Sequence, residues 1–131
     1  MIPIDIKLHK KSATLELVYG DSTNLIMSAE FLRVHSPSAE VRGHGKGQET
    51  LQTGKRAVQI TGIEAVGNYA IKPSFDDGHD SGIYSWSYLH DLGTRQRELW
   101  EQYLAKLQAA NASRDDLPAH TQVITIRPLN Q

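Results

Sequence analysis

The chain contains no cysteine among its 131 residues. This absence excludes disulfide bonds, thiolate zinc sites and cysteine nucleophiles, so histidine nitrogen and carboxylate oxygen are the ligands left for a metal ion. No apolar run approaches the roughly 20 residues that a membrane helix needs. Residues 1–11 alternate apolar and charged side chains and lack the apolar core of a signal peptide. We therefore expect a cytoplasmic protein with no membrane partner.

The chain also lacks an excess of charge of either sign. Lysine and arginine number 14 against 15 acidic residues, which gives a formal net charge of -1. This balance does not favour nucleic acid or an anionic membrane as a partner, because both attract strongly basic proteins. The length fits a single domain with its own hydrophobic core.

The first half of the chain predicts a hairpin of β-strands and a short helix. Apolar and polar residues alternate from Ala13 to Tyr19, a pattern typical of a half-buried strand. The Gly20-Asp21-Ser22 turn leads into a returning strand over 23–27. Ser28 carries the hydroxyl that caps a helix, which we predict over 29–34. Before this hairpin, residues 1–12 are expected to form a weakly attached leader.

The middle of the chain predicts a loop and two further strands. Glycines at 43, 45 and 47 indicate a mobile loop over 42–54 that contains His44. A strand follows over 56–65, where Gly62 indicates a bulge. A second strand is predicted over 69–75, and Pro73 places it at a sheet edge or near its own end, because proline cannot donate to the ladder.

Two helices are predicted in the second half. The first covers 86–92 and should end at Gly93. Thr94 is expected to cap the second helix, over 95–110, which has apolar residues at spacings of three and four. Its predicted inward face consists of Leu99, Trp100, Tyr103, Leu104 and Leu107.

The order of these elements predicts the fold class. Strands come before helices and do not alternate strictly with them, which is typical of an α+β domain. We expect two layers, a small and mostly antiparallel sheet with the C-terminal amphipathic helix packed on it. The domain should cover 1–113. The remaining tail, 114–131, is polar and contains one short candidate strand over 123–126.

The most polar segment between two apolar ones is Asp76-Asp77-Gly78-His79-Asp80, which we call the acidic turn. Imidazole and carboxylate groups suit a divalent metal such as zinc or iron. Neighbours in one turn cannot all reach one ion, so a site here needs a distant ligand, for which His44 or His35 is the natural candidate. Alternatively, His79 acts as a general base oriented by a nearby carboxylate, or it only hydrogen-bonds an ordinary Asp-Gly turn.

An aromatic segment follows the acidic turn. In an extended chain, Tyr84 and Trp86 would lie on the same side, where amphipathic aromatic rings favour an interface. The alternative is that Trp86 belongs to the core. The candidate surface for a small ligand or a protein partner consists of Arg33, Asp77, Asp80, Tyr84 and Trp86.

The stretches Gly67-Asn68-Tyr69-Ala70 and Phe75 to Trp86, with the earlier Phe31 to Val41, resemble the gamma-butyrobetaine hydroxylase-like N-terminal domain family. The resemblance covers about residues 13–107, and the Phe31 to Val41 stretch, with Gly43-His44-Gly45, resembles the family's small stand-alone bacterial members. In the hydroxylases, this module precedes the oxygenase domain and holds a structural zinc through three cysteines and one histidine. Those positions fall near Ser36, Ser38 and Val41, and on His79, so one of the four ligands is present here.

The resemblance and the residues together lead to two hypotheses about function. The first is a non-catalytic module that binds a protein partner or a small ligand. The second is a metal-binding accessory protein in iron or iron-sulfur cluster handling, with His79 and His44 as ligands. Fusions of related domains to carriers of iron-sulfur clusters imply an accessory role of this kind.

Overall fold

The computed structural model describes residues 1–43 and 47–115, and this part of the chain confirms the α+β class. The strands divide into two antiparallel sheets of three strands each, ordered β1-β2-β3 and β4-β5-β6. The elements in chain order are β1 (Asp5–His9), β2 (Thr14–Val18), β3 (Asn24–Ser28), α1 (Ala29–Val34), α2 (Ala39–Arg42), β4 (Ile60–Val66), β5 (Ala70–Phe75), β6 (Tyr84–Ser85), α3 (Trp86–Thr94) and α4 (Gln96–Ala109).

The first sheet contains the predicted hairpin and one strand more. Leu15 and Leu17 of the central strand β2 are fully buried, as their alternation predicts. β1 pairs with β2 from Asp5, opposite Val18, to His9, so the prediction of a weakly attached leader is wrong for this segment. The reason is that Ile6 alternates with charged neighbours and packs against the core, as a strand residue does.

The second sheet places the acidic turn at the end of β5. The pairing of β4 with β5 shifts between Ile60 and Gly62, which confirms the bulge predicted there. β5 has a neighbouring strand on both sides only at Ala70 and Ile71. The short strand β6 pairs with these two residues and with no other part of β5. At Pro73 the neighbouring strand is β4 alone, which agrees with the edge position predicted for a residue that cannot donate to the ladder.

The helices begin and end at residues that differ from some predictions. Ser28 caps α1 as predicted, because its Oγ accepts a bond of 3.0 Å from the Phe31 amide. Gly93 does not end α3, which continues to Thr94. Its lack of a side chain serves packing instead, since a Cβ there would lie 2.7 Å from Cδ1 of Leu25. Thr94 does not cap α4, since its hydroxyl donates to the His90 carbonyl oxygen.

The core lies between the two sheets and the helices. Its main cluster includes residues of both sheets, α1 and α3. α4 contributes a second cluster, in which Tyr103 and Leu107 are buried beside Val34. Leu104 is 38% exposed, so its predicted inward position is wrong. The apolar stripe of α4 is narrow. Successive residues on a helix are rotated by about 100°, so Leu104, which follows Tyr103, lies away from this stripe.

The chain that follows α4 is bound back to α1. Arg114 donates two hydrogen bonds, of 2.8 and 2.6 Å, to the buried carboxylate of Glu30. Its guanidinium also lies 4.9 Å from the centre of the Trp100 ring. The predicted domain boundary after residue 113 stays a prediction, and the candidate strand over 123–126 lies outside the described residues. Within those residues, no helix combines the length and apolar character needed to cross a bilayer.

Candidate functional site

The acidic turn is tied to β4 and closed by its own backbone. The amide of Gly78 donates to the Phe75 carbonyl oxygen at 3.0 Å, and the Phe75 amide donates to the His79 carbonyl oxygen at 2.9 Å. Gly78 has a φ of +90°, a conformation that favours glycine. The backbone amide of Gln59, the residue before β4, donates to Oδ1 of Asp76 at 3.0 Å. These bonds make the segment an ordered turn.

His79 is buried, and both nitrogens of its ring face other side chains of the protein. Nε2 lies 2.7 Å from Oγ of Ser36, and Nδ1 faces Oε2 of Glu40 at 3.4 Å. Because a carboxylate only accepts, this arrangement suits the tautomer with its proton on Nδ1 and Nε2 accepting from the hydroxyl. Burial lowers the pKa of His79, and the nearby charge of Arg33 lowers it further. The ring is therefore neutral at pH 7.

Asp77 joins three parts of the chain through its carboxylate. Oδ2 accepts bonds from Nε of Arg33 at 2.9 Å and from Nζ of Lys55 at 2.6 Å, while Oδ1 accepts a bond of 3.2 Å from the His79 amide. Burial by itself raises the pKa of this carboxyl, but the bonds from Lys55, the His79 amide and Arg33 outweigh it and lower the pKa to about 2. Asp77 is therefore ionised and fully engaged.

The structure does not gather the predicted ligand surface in one place. Arg33 is buried and bonds Asp77, while Asp80 is exposed. Tyr84 is 0% exposed and donates its hydroxyl hydrogen to the Leu32 carbonyl oxygen, so it is not a surface residue. Trp86 begins α3, and the chain is extended for only two residues before it. The shared aromatic side predicted for an extended segment is therefore absent.

Metal binding by His79 and His44 stays a prediction, because His44 lies outside the described residues. Within the described ranges, no three histidine or acidic residues are grouped as ligands of a metal ion would be. The zinc that the family resemblance implies does not fit the residues present. Nε2 of His79 is in direct contact with the Ser36 hydroxyl, and Val41 offers no donor atom.

An opening in the described part of the molecule, which we call the α4 cavity, has no counterpart among the sequence predictions. It has a volume of about 880 Å³ and lies between α4, Tyr88 of α3, and residues within 34–43 and 49–52. Its apolar lining includes Val34, Val41, Leu51, Leu99 and Tyr103. The apolar stripe of α4 signals burial in the sequence, but it does not distinguish a packed face from the wall of a cavity.

The polar lining of the α4 cavity lies around His35. Nδ1 of His35 is 2.8 Å from the Phe31 carbonyl oxygen, and its own carbonyl oxygen accepts a bond of 2.7 Å from the Tyr88 hydroxyl. Burial lowers the pKa of His35, and although the bond to Phe31 opposes this, the charge of Lys106 lowers it again. A neutral, fixed His35 thus forms one wall, with Tyr88 and Lys106 beside it.

Comparison with known families agrees with this architecture. A family model described as gamma-butyrobetaine hydroxylase-like, N-terminal, matches residues 6–90. The chain belongs to this family. The comparison with curated proteins gave no match.

Solved structures extend the likeness over nearly the whole chain. One NMR solution structure is 52% identical, with a TM-score of 0.77, and the match covers 94% of this chain and 98% of the other. A second is 48% identical, with a TM-score of 0.75 and coverages of 95% and 93%. A crystal structure from Acidithiobacillus ferrooxidans, of a DUF971-family protein of unknown function, is 32% identical, with a TM-score of 0.59 and coverages of 70% and 91%.

Proposed function

We propose that the protein is a non-catalytic binding module and that the α4 cavity binds a small organic ligand. The observation that carries this proposal is the cavity itself. Its volume of about 880 Å³ lies within the range of roughly 300–1,000 Å³ that is typical of small-molecule sites. The cavity is also bounded by residues of the segments 34–36, 41–43 and 49–52, by Tyr88 and by α4.

The lining of the cavity supports a ligand with an apolar body. Val34 and Val41 are buried at the ends of α1 and α2, and Leu99 and Tyr103 lie on α4. Apolar and aromatic walls with a few fixed polar groups are the usual composition of small-molecule sites. Tyr103 is fixed in place, because its hydroxyl donates to the Gln52 carbonyl oxygen at 2.8 Å.

The bonding of the acidic turn supports a non-catalytic role for that segment. A serine hydroxyl bonded to a histidine nitrogen can act as a nucleophile and its base, but Ser36 and His79 are both buried, at 1% and 5% exposure, so neither is presented to a substrate. The carboxylate of Asp77 is held by Arg33 and Lys55. These groups bind one another, and they join α1, the chain before β4 and the end of β5.

The proposal is tested with the neutral fluorescent probe N-phenyl-1-naphthylamine. We expect the wild-type protein to give saturable fluorescence enhancement. Ala109 and Ala105 are both exposed on α4, one turn apart, and Ala109 lines the cavity whereas Ala105 does not. Ala109→Trp should therefore weaken binding by about tenfold or more, because a bulky ring fills the site. Ala105→Trp should leave binding unchanged.

Two results would overturn the proposal. One is the absence of saturable binding to the wild-type protein. The other is an equal effect of the two tryptophan substitutions, which would place the probe outside the cavity. Near-ultraviolet circular dichroism of each variant verifies that the fold is retained.

A further inference from the structure

The α4 cavity has two cationic side chains in its lining, Arg42 and Lys106. Within residues 1–43 and 47–115, neither forms an ion pair with a carboxylate. We infer that the ligand of this cavity is an amphipathic anion, with an apolar body and one carboxylate, sulfonate or phosphate group. This inference rests on the proposed function and adds the chemical class of the ligand.

Arg42 is fixed by an aromatic ring. Its guanidinium carbon lies 4.8 Å from the centre of the Tyr88 ring, and Tyr88 is itself fixed by the bond from its hydroxyl to His35. A guanidinium stacked on a ring keeps its N–H donors at the edge of its plane, where they can bind an anion in a fork. Arg42 and Tyr88 also line a second, smaller cavity of about 360 Å³. The guanidinium is thus placed where the two openings adjoin.

Lys106 supplies the second positive charge from the opposite wall. It lies on α4 and its charge acts on His35, whose pKa it lowers. Since burial has already lowered that pKa, His35 is neutral at pH 7 and adds no charge. The acidic residue in the lining is Glu49. Two cations against one carboxylate leave the described lining with a net positive charge.

The apolar walls and the cations require one ligand to have two parts. Arg42 and Lys106 are exposed, so a neutral hydrocarbon gains no charge pairing from them, and an inorganic anion gains no apolar contact with the half-buried Leu51. An amphipathic anion satisfies both sets of groups, since burial of the apolar body and pairing of the charge are independent contributions to binding.

The test compares two probes that share one aromatic body. 8-Anilinonaphthalene-1-sulfonate carries the anionic group, and N-phenyl-1-naphthylamine is the same molecule without it. We expect the sulfonate to bind the wild-type protein about tenfold more tightly, because it adds charge pairing to the same apolar contact. Its affinity should fall between 0.05 and 0.5 M salt, while that of the neutral probe should not.

Substitution of the two cations locates the effect. Arg42→Gln and Lys106→Gln should each lower the ratio of sulfonate affinity to neutral-probe affinity by about three- to tenfold. Arg97→Gln is the matched control, since Arg97 is on α4, has a side chain that is 91% exposed and does not line the cavity. It removes the same charge and should have no effect.

The outcomes separate this inference from the proposed function. If the neutral probe binds in the cavity but the sulfonate has no advantage, the inference is overturned and the proposed function stands. The same conclusion follows if Arg42→Gln, Lys106→Gln and Arg97→Gln all weaken the sulfonate equally. If neither probe binds the wild-type protein, both are overturned.

Discussion

Oγ of Ser36 and Nε2 of His79 lie 2.7 Å apart, although 43 positions separate the two residues in the chain. This bond joins the acidic turn after β5 to the connection between α1 and α2, and both side chains are buried. Gly82 allows the approach, because a Cβ at that position would collide with the Ser36 hydroxyl. The acidic turn is therefore joined to the connection between α1 and α2 by a buried hydrogen bond.

The first prediction concerns this bond. We expect Ser36→Ala to lower the free energy of unfolding by about 1–3 kcal/mol, because the buried Nε2 of His79 would lose its partner without regaining water. Urea unfolding at pH 7 measures the change. Ser12→Ala is the control, since the Ser12 hydroxyl also forms a hydrogen bond but is exposed. Equal unfolding midpoints for the two variants would show that the buried bond is not important for stability.

The second prediction concerns the acid stability that Asp77 supplies. Its pKa is lowered from 3.8 to about 2 in the folded protein, so the ionised form is favoured by folding. The contribution is complete above pH 3.8 and is lost as pH falls from 3.8 towards 2. Asp77→Asn should lower the free energy of unfolding by about 1–3 kcal/mol at pH 7, and the difference from wild type should disappear near pH 2.

The neighbouring Asp80 provides the control for that experiment. It is exposed, so Asp80→Asn should change stability by less than about 0.5 kcal/mol. The two variants are compared by urea unfolding at pH 7, 4, 3 and 2. A destabilisation by Asp77→Asn that persists unchanged at pH 2 would contradict the ion-pair explanation.

The third prediction concerns Gly93, which lies inside α3. Glycine to alanine in a helix is normally stabilising by about 1 kcal/mol. Here a Cβ would lie 2.7 Å from Cδ1 and 3.2 Å from Cβ of Leu25, and overpacking of this kind costs about 1–3 kcal/mol. Gly93→Ala should therefore destabilise the wild-type protein. Leu25→Ala removes Cδ1 but keeps Cβ, so the same change should cost less in that background, and a double-mutant cycle that shows no coupling would contradict the contact.

The fourth prediction concerns metal binding at His79. Because the Ser36 hydroxyl occupies Nε2, we expect calorimetric titration with zinc or ferrous iron to give no heat that depends on His79. The titration compares the wild-type protein with His79→Ala, and His9→Ala serves as an exposed-histidine control. Stoichiometric binding that disappears only in His79→Ala would instead support the metal hypothesis that the sequence raises for His79 and His44.

Local patterns in the sequence were enough to predict much of the fold. The alternation of Leu15 and Leu17, the cap at Ser28 and the bulge at Gly62 all depend on neighbouring residues, and each is found as predicted. Gly93 was misinterpreted because its role depends on Leu25, a residue far away in the chain. A pattern of neighbouring residues does not predict a contact between residues that are far apart in the chain.

The candidate site was less predictable for the same reason. The sequence identified Asp77 and His79 as unusual, but whether such groups are free or engaged depends on Arg33 and Ser36, more than 40 positions away. The α4 cavity is formed by segments that are each ordinary in sequence, among them a loop near Leu51 and one face of α4. A concave space between segments leaves no periodic signal in any one of them.

The measurement that most directly tests the α4 cavity as the binding site is an amide chemical-shift titration with 8-anilinonaphthalene-1-sulfonate. We predict saturable shifts concentrated at cavity residues such as Val34, Val41, Leu51 and Tyr103, and their loss in Ala109→Trp. Shifts concentrated in the acidic turn at Asp77 to Asp80, with the cavity residues unmoved, would show that the ligand site has been placed in the wrong part of the molecule.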